Sequence, residues 1–269
     1  MKKYILIGAG VIVAGLITAI VLVILNLGDL IKTAVEEFGP PITKTEVRLG
    51  SADISVLSGS GTLSDFYLGN PAGFKMPSAI ECGTIRVKVN TDSLTKDKII
   101  IDEIYVDSPV ISYEKRGNTD NFQTIVNNIK KTVAGEKKAD TTKTEEAKSE
   151  TGSEKTIQIN NFIVKNGKIN LGGSLLDAFG DQGMGIDLPD IHLKDIGKDK
   201  ETTPAEAFAQ ILGQLTGDVT GTVTEVGKQL KEAVGKAVEG ASKAVEEGAG
   251  KAGESVGGAI KGLFGGSKE

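Results

Sequence analysis

The run Tyr4–Leu27, YILIGAGVIVAGLITAIVLVILNL, lies between Lys3 and Asp29 without a charged residue, and it constrains the chain more than any other stretch. About 24 residues at 1.5 Å each make a helix of roughly 36 Å, enough to cross a bilayer core of about 30 Å with some tilt. A cleavable secretory signal has an apolar region of only about 7 to 15 residues and a small-residue exit. Here the run leaves through Asn26-Leu27-Gly28-Asp29, so an uncleaved signal anchor is expected. Lys2 and Lys3 precede it, and Asp29, Lys32, Glu36 and Glu37 follow it. The positive-inside bias then keeps the N-terminus cytoplasmic and sends the bulk of the chain across. Gly10, Ala14 and Thr18 recur every fourth position, as do Gly15 and Ala19, a spacing that lets helices pair, although small residues are common in such spans.

Composition excludes several function classes. A formal charge of −5 over 269 residues leaves no basic footprint for nucleic acid. The single cysteine, Cys82, forbids an intrachain disulfide and reads as a small buried hydrophobe. With one histidine, His192, and neither Cys-x-x-Cys nor His-Glu-x-x-His, no metal site is expected. Trp is absent and aromatics are 4 %, so stacking platforms for bases or sugars are not expected. Asn-x-Ser/Thr sequons are absent too, which favours a bacterial envelope over a eukaryotic secretory route.

Beyond the run, Leu30, Ile31, Ala34, Val35 and Phe38 form a helical stripe that Gly39-Pro40-Pro41 is expected to stop. The period then becomes two. Val47 and Leu49, then Ala52, Ile54 and Val56, then Leu63, and Ile85, Val87 and Val89 alternate with polar residues, the pattern of strands with one apolar and one wet face. Asn70-Pro71-Ala72-Gly73-Phe74 is a turn-rich interruption. Lys98–Glu114 supplies Ile99, Ile101, Ile104, Val106, Val110 and Tyr113, with Pro109 marking a strand end or edge. Helical spacing returns at Phe122, Ile125, Val126 and Ile129, after Thr119 or Asp120 as N-cap.

Ala134–Lys155 has no large apolar residue and cannot offset its chain entropy, so it reads as a disordered linker. Thr156–Leu171 reads as two short strands across Asn166-Gly167, a dipeptide suited to a two-residue turn. Ile186–Leu193 offers another strand pair interrupted by Pro189, with His192 on the wet face.

Thr203-Pro204-Ala205-Glu206 is a capping box with proline at the first helical position, and Phe208, Ile211, Leu212 and Leu215 follow as a stripe. Gly213, Gly217 and Gly221 suggest close packing or a break. From there the chain repeats every eleven residues: Val219, Leu230, Ala241, Ala252 and Leu263 form one row, and Val223, Val234, Val245 and Val256 another. Eleven residues is about three turns, so each row stays on one face. This face is shallow, so its helix is expected to need a surface: it binds a membrane, packs along the protein's own sheet, or else stays a fluctuating tail. The segment resembles the eleven-residue amphipathic repeats of late-embryogenesis-abundant and apolipoprotein-like helices.

A second resemblance covers Val35–Lys130. VEEFGPPITKTEVRLGSADISVLSGSGTLSDFYLGNPAGF, GTIRVKVNTDSL, KIIIDEIYVDSPVISYE and NTDNFQTIVNNI together resemble the N-terminal module of short AsmA-like proteins of bacterial envelopes, and QINNFIVKNGKINL resembles a further copy of that family's strand unit. The resemblance implies a curled antiparallel sheet with an apolar concave face, related to bridge-like proteins that conduct phospholipid acyl chains. This chain stops after very few repeats, so a local lipid-handling or assembly role is expected rather than transport between membranes.

The expected fold is mainly β with α: an N-terminal transmembrane helix, a curled antiparallel sheet forming a partial β-groove, and a long C-terminal amphipathic helix. The expected divisions are an anchor and its aqueous extension (1–38), a strand module (39–133), a linker (134–155), a second strand unit (156–200) and a helical tail (201–269). No catalytic group, metal ligand or cofactor is expected. Lipid-groove candidates are Ile54, Val56, Ile85, Val87, Val89, Ile99 and Ile101. Candidates for a membrane or partner face are Val223, Leu230, Val234, Val245, Val256 and Leu263. The partners expected are the membrane, phospholipid and other envelope proteins, without nucleic acid. Two readings of function stand side by side: a membrane-anchored lipid-binding protein of the periplasm, and an envelope scaffold acting through its C-terminal helix.

Overall fold

A computed structural model describes residues 26–140, 155–173 and 185–246. Apart from Asn26 and Leu27, the Tyr4–Leu27 run lies outside them, as do Val256 and Leu263. No helix among the described residues is long and apolar enough to cross a membrane. The chain divides into two compact units, 1–216 and 217–269.

The first unit is mainly β with α. Helix α1 (Leu27–Thr43) leads into strands β1 (Val47–Arg48), β2 (Ser51–Ser55), β3 (Ser60–Gly69), β4 (Ser78–Val89), β5 (Lys98–Asp107), β6 (Val110–Arg116) and β7 (Thr119–Asp120). Helix α2 (Asn121–Asp140) follows, then β8 (Thr156–Lys165), β9 (Lys168–Gly173), β10 (Gly185–Asp187) and β11 (Ile191–Ile196). Helix α3 (Pro204–Glu246) begins in this unit and continues into the second.

Among the described residues all the strands belong to one sheet, and the register shows that most are halves of longer strands. β5 and β6 keep a single register against β4, with Thr84 opposite Asp107 and Glu81 opposite Val110. β8 and β9 do the same against β5 and β6, with Asp107 beside Lys165 and Val110 beside Lys168. β1 and β2 run in line along β3, and β10 and β11 along β9 and β8. The sheet is therefore six long strands interrupted along one transverse line, through Gly50, Asp65, Gly83, Ser108, Asn166 and Pro189. Asp65, Ser108 and Asn166 take φ of 53°, 51° and 56° there.

This line explains a slip in the sequence pattern. A pleated strand keeps one face at every second residue. Yet the apolar positions are 47 and 49 then 52 and 54, 80 and 82 then 85 and 87, and 104 and 106 then 111 and 113. Each strand changes parity at the same crossing, and in three of them Asp65, Ser108 and Asn166, with positive φ, absorb the slip in the manner of a bulge. The apolar side chains thus stay on one side of the sheet.

The strand through β5 and β6 is also bent. Glu114 in β6 lies at the start of α2, its N–H donating to Asn121 Oδ1 at 3.1 Å. Lys98, at the start of β5, donates from Nζ to the Gly197 carbonyl at 3.3 Å, and Gly197 shares a cleft with Ala134 of α2. A straight strand would separate Lys98 from Glu114 by about 50 Å. The α2 segment from Asn121 to Ala134 covers only about 20 Å. The strand is therefore bent rather than straight between Lys98 and Glu114, with the crossing at Ser108 between them.

Four expectations need correction. Asn166-Gly167 makes no hairpin: Asn166 uses its tolerance of positive φ to crease a strand that continues in the same direction. The sheet is mixed, because β5 and β6 lie parallel to β8 and β9 after the crossover through α2. The segments flanking Pro189 pair with β9 and β8 rather than with each other. Pro40 and Pro41 do not stop α1, since in its last turn they forfeit only two backbone donors; Lys44 closes the helix with φ 58° and an N–H to the Pro40 carbonyl.

Most other expectations hold. Asp120 caps α2, its Oδ1 accepting from the Gln123 N–H at 2.7 Å. The helix runs on to Asp140, into the stretch that reads as a linker, whose residues 141–154 lie outside the described residues. The capping box forms as expected: the Thr203 N–H donates to Glu206 Oε2 at 3.0 Å and the Glu206 N–H to Thr203 Oγ1 at 3.3 Å. At Gly213, Gly217 and Gly221 the expectation of close packing or a break fails: helix α3 passes them unbroken, and a Cβ at any of the three would meet no neighbour.

Candidate functional site

The two arms of the folded sheet differ in how well their apolar side is covered. In the arm holding β6 and β9, one transverse row runs Val47, Leu68, Ile80, Ile111, Ile169, Ile186. Every member is at most 8 % exposed. Helix α2 closes this arm, burying Phe122, Ile125, Val126 and Ile129.

In the other arm, burial changes along each row. Ala52, Leu63 and Ile85 are half-buried, whereas Val106, Val164 and Ile191, which continue the row, are buried. In the next row Ile54, Gly61, Val87 and Ile104 are half-buried and Phe162 is buried. In the third, Val89 and Ile101 are half-buried and Ile159 and Ile196 are buried. The covered end lies toward β8 and β11, and the open end comprises β2, β3, β4 and the near side of β5.

The sequence-derived groove residues fall at that open end. Ile54, Val56, Ile85, Val87, Val89, Ile99 and Ile101 are all half-buried and none belongs to the closed core. Register brings Ile54, Val87 and Ile104 onto one row and Val89 and Ile101 onto another. Leu63 and Ile104 belong to the same surface; alternation had marked both as strand positions without singling them out. The opposite face is polar and carries two cross-strand stacks, Arg48 over Tyr67 at 4.0 Å and Arg86 over Tyr105 at 4.3 Å.

A cleft of about 800 Å³ lies where α2, residues 195–202 and the start of α3 meet. Ile129, Val133 and Ala209 give it apolar walls, and Lys130, Lys198 and Asp199 line its polar side. Thr202 is fully buried in this wall, and its Oγ1 has no hydrogen-bond partner.

The candidates on the C-terminal helix separate. Val223 is buried. Leu230, Val234 and Val245 lie within α3, whose backbone alone is described there.

The turn-rich Asn70–Pro77 segment has a structural role. Glu114, 3 % exposed, accepts from the Lys75 and Met76 N–H groups at 2.8 and 2.9 Å. Asn121, fully buried, donates from Nδ2 to Asn70 Oδ1 and to the Ser112 carbonyl. Asn70 in turn donates to the Met76 and Ser78 carbonyls. The motif closes a loop over β6.

His192 is exposed and pairs through Nε2 with Asn161 Oδ1 at 2.9 Å. Cys82 is buried, donating its thiol to the Thr84 carbonyl at 3.2 Å; burial, reinforced by the Asp107 charge, raises its pKa. Among the described residues no group of three or more His, Cys, Asp or Glu side chains is placed to hold a metal ion. No protein-family model, curated protein or solved structure matches the chain.

Proposed function

We propose that this chain is a non-enzymatic, membrane-anchored protein of the bacterial periplasm that holds lipid acyl chains against the open arm of its folded sheet. The observation that carries the reading is the burial gradient along the rows: the same apolar side that is sealed beneath α2 stays half-exposed from Ile54 to Ile101. Aliphatic residues in contiguous rows make a surface that water wets poorly, and extended hydrocarbon fits it. The Tyr4–Leu27 run and the resemblance to short AsmA-like proteins favour lipid as the occupant and the envelope as the place.

The test is native mass spectrometry, with lipid extraction, of the detergent-purified chain. Co-purified phospholipid that is lost in Val87→Asp and Ile101→Asp, and retained in Lys88→Asp on the polar face, is the expected outcome. A chain that never carries lipid would sink the proposal.

A second reading has its own support in α3, which continues to Glu246 and carries the eleven-residue rows. Here the tail contacts a membrane or envelope partner. Deleting residues 219–269 should then abolish association while the sheet stays folded, and an unchanged interaction profile would remove this reading.

A further inference from the structure

The open arm ends in two adjoining loops, each carrying an exposed leucine. Leu57, between β2 and β3, is 99 % exposed, and Leu94, between β4 and β5, is 38 % exposed. The loops touch: the Val89 N–H donates to the Gly59 carbonyl at 2.7 Å, and a Cβ at Gly59 would come within 2.9 Å of Thr91 Cγ2. Leu57-Ser58-Gly59-Ser60 is uncharged. Two lysines stiffen this end of the sheet. Lys155 Nζ donates to the Leu94 and Lys96 carbonyls, and Lys98 Nζ to those of Gly197, Lys198 and Lys200.

Helix α1 points to the same end. Gly39 lies against Val47, Lys32 Nζ donates to the Gly50 carbonyl, and Gly28 abuts the Ala52 carbonyl. Reading α1 backwards therefore follows the edge strand toward Leu57. The uncharged run Tyr4–Leu27 joins α1 level with Ala52, and Leu57 projects about 17 Å further in that direction. The described end of the run, Asn26–Leu27, therefore lies toward the same end of the sheet as the Leu57 tip.

We propose that the Leu57 and Leu94 loops form a membrane-inserting tip that sets the open apolar arm directly on the lipid surface. This rests on the proposed anchoring and deepens it, because it gives acyl chains a route from the bilayer to the rows at Val89 and Ile101 without crossing water. Leu57 on its uncharged loop gains by entering the interface, whereas in water it gains nothing, and Leu94 lies on the adjoining loop, whose Asp92, Lys96 and Asp97 stay among the headgroups.

The test uses the full chain in vesicles of phosphatidylethanolamine and phosphatidylglycerol, with Cys82→Ala and single cysteines at Leu57, Leu94 or Ala72, each labelled with bimane. Ala72 is exposed in the loop at the far end of the other arm. Lipids spin-labelled near the headgroup should quench Leu57→Cys and Leu94→Cys at least about twofold more than Ala72→Cys. Equal quenching at all three positions overturns the inference. If lipid still co-purifies in that case, the groove reading survives its failure; quenching confined to the tip without co-purified lipid upholds the tip and removes the groove.

Discussion

Ser108 and Asn166 sit side by side on parallel strands, and both take positive φ, at 51° and 56°. The Ser108 N–H donates to the Lys165 carbonyl at 2.8 Å, and the Lys168 N–H to that of Pro109 at 2.9 Å, so hydrogen bonding resumes on both sides of the crease. Left-handed backbone costs an L-residue about 1–2 kcal/mol, least for Asn and Asp. Asn166→Val should therefore lower stability by roughly 1–2 kcal/mol, and Asn166→Gly should be close to neutral. Denaturant midpoints of the detergent-solubilised chain check this; equal losses in both variants would mean that the side chain rather than the backbone matters.

Glu114 anchors the Asn70–Pro77 loop through two backbone donors. Hydrogen bonds to a charged group are worth about 1.5–3 kcal/mol each, and an unsatisfied buried donor costs a comparable amount. Glu114→Ala should thus cost about 2–4 kcal/mol, with Glu114→Gln intermediate, as it keeps one acceptor oxygen. Hydrogen exchange should show the Lys75 and Met76 amides losing protection first.

Charge placed on the two arms should have opposite consequences. Ile111, 1 % exposed, lies in the sealed row, so Ile111→Asp should unfold the domain. Val87 is half-buried on the open rows, and Val87→Asp should leave a folded chain with its stability lowered by only about 1 kcal/mol. Thermal melts separate the two cases.

Cys82 adds a pH dependence. Burial is the main cause of its raised pKa, partly opposed by hydrogen bonding with the Thr84 backbone, and the Asp107 carboxylate adds to the rise. The folded chain therefore holds the thiol proton more tightly than the unfolded chain. The associated stability is complete below the unfolded thiol pKa and is lost as pH rises through the folded one. Stability should fall from about pH 9 upward, and Cys82→Ala should flatten that slope. Alkylation at neutral pH should require denaturant, because the reactive thiolate is scarce and covered.

Much of the sheet was legible because alternation reports local pleating directly. Val47, Leu49, Ile54, Val87 and Ile101 were assignable to an apolar face from spacing alone, and all lie on it. The capping box at Thr203 was equally readable, since both partners lie within four residues. Asn166-Gly167 misled for a physical reason: positive φ at Asn serves a hairpin and a crease alike, and only the strand's next partner separates them.

The chain's alternation, with its change of parity between Val106 and Ile111 and at the matching points of the other strands, determined which residues share a face. It also marked the open rows as aliphatic. What tertiary structure alone decided is that these slips fall on one line, that β8 and β9 run parallel to β5 and β6, and that α2 seals one arm while the other stays open. Each depends on hydrogen bonds between strands far apart in sequence, such as Asp107 with Lys165, whose register no local pattern encodes.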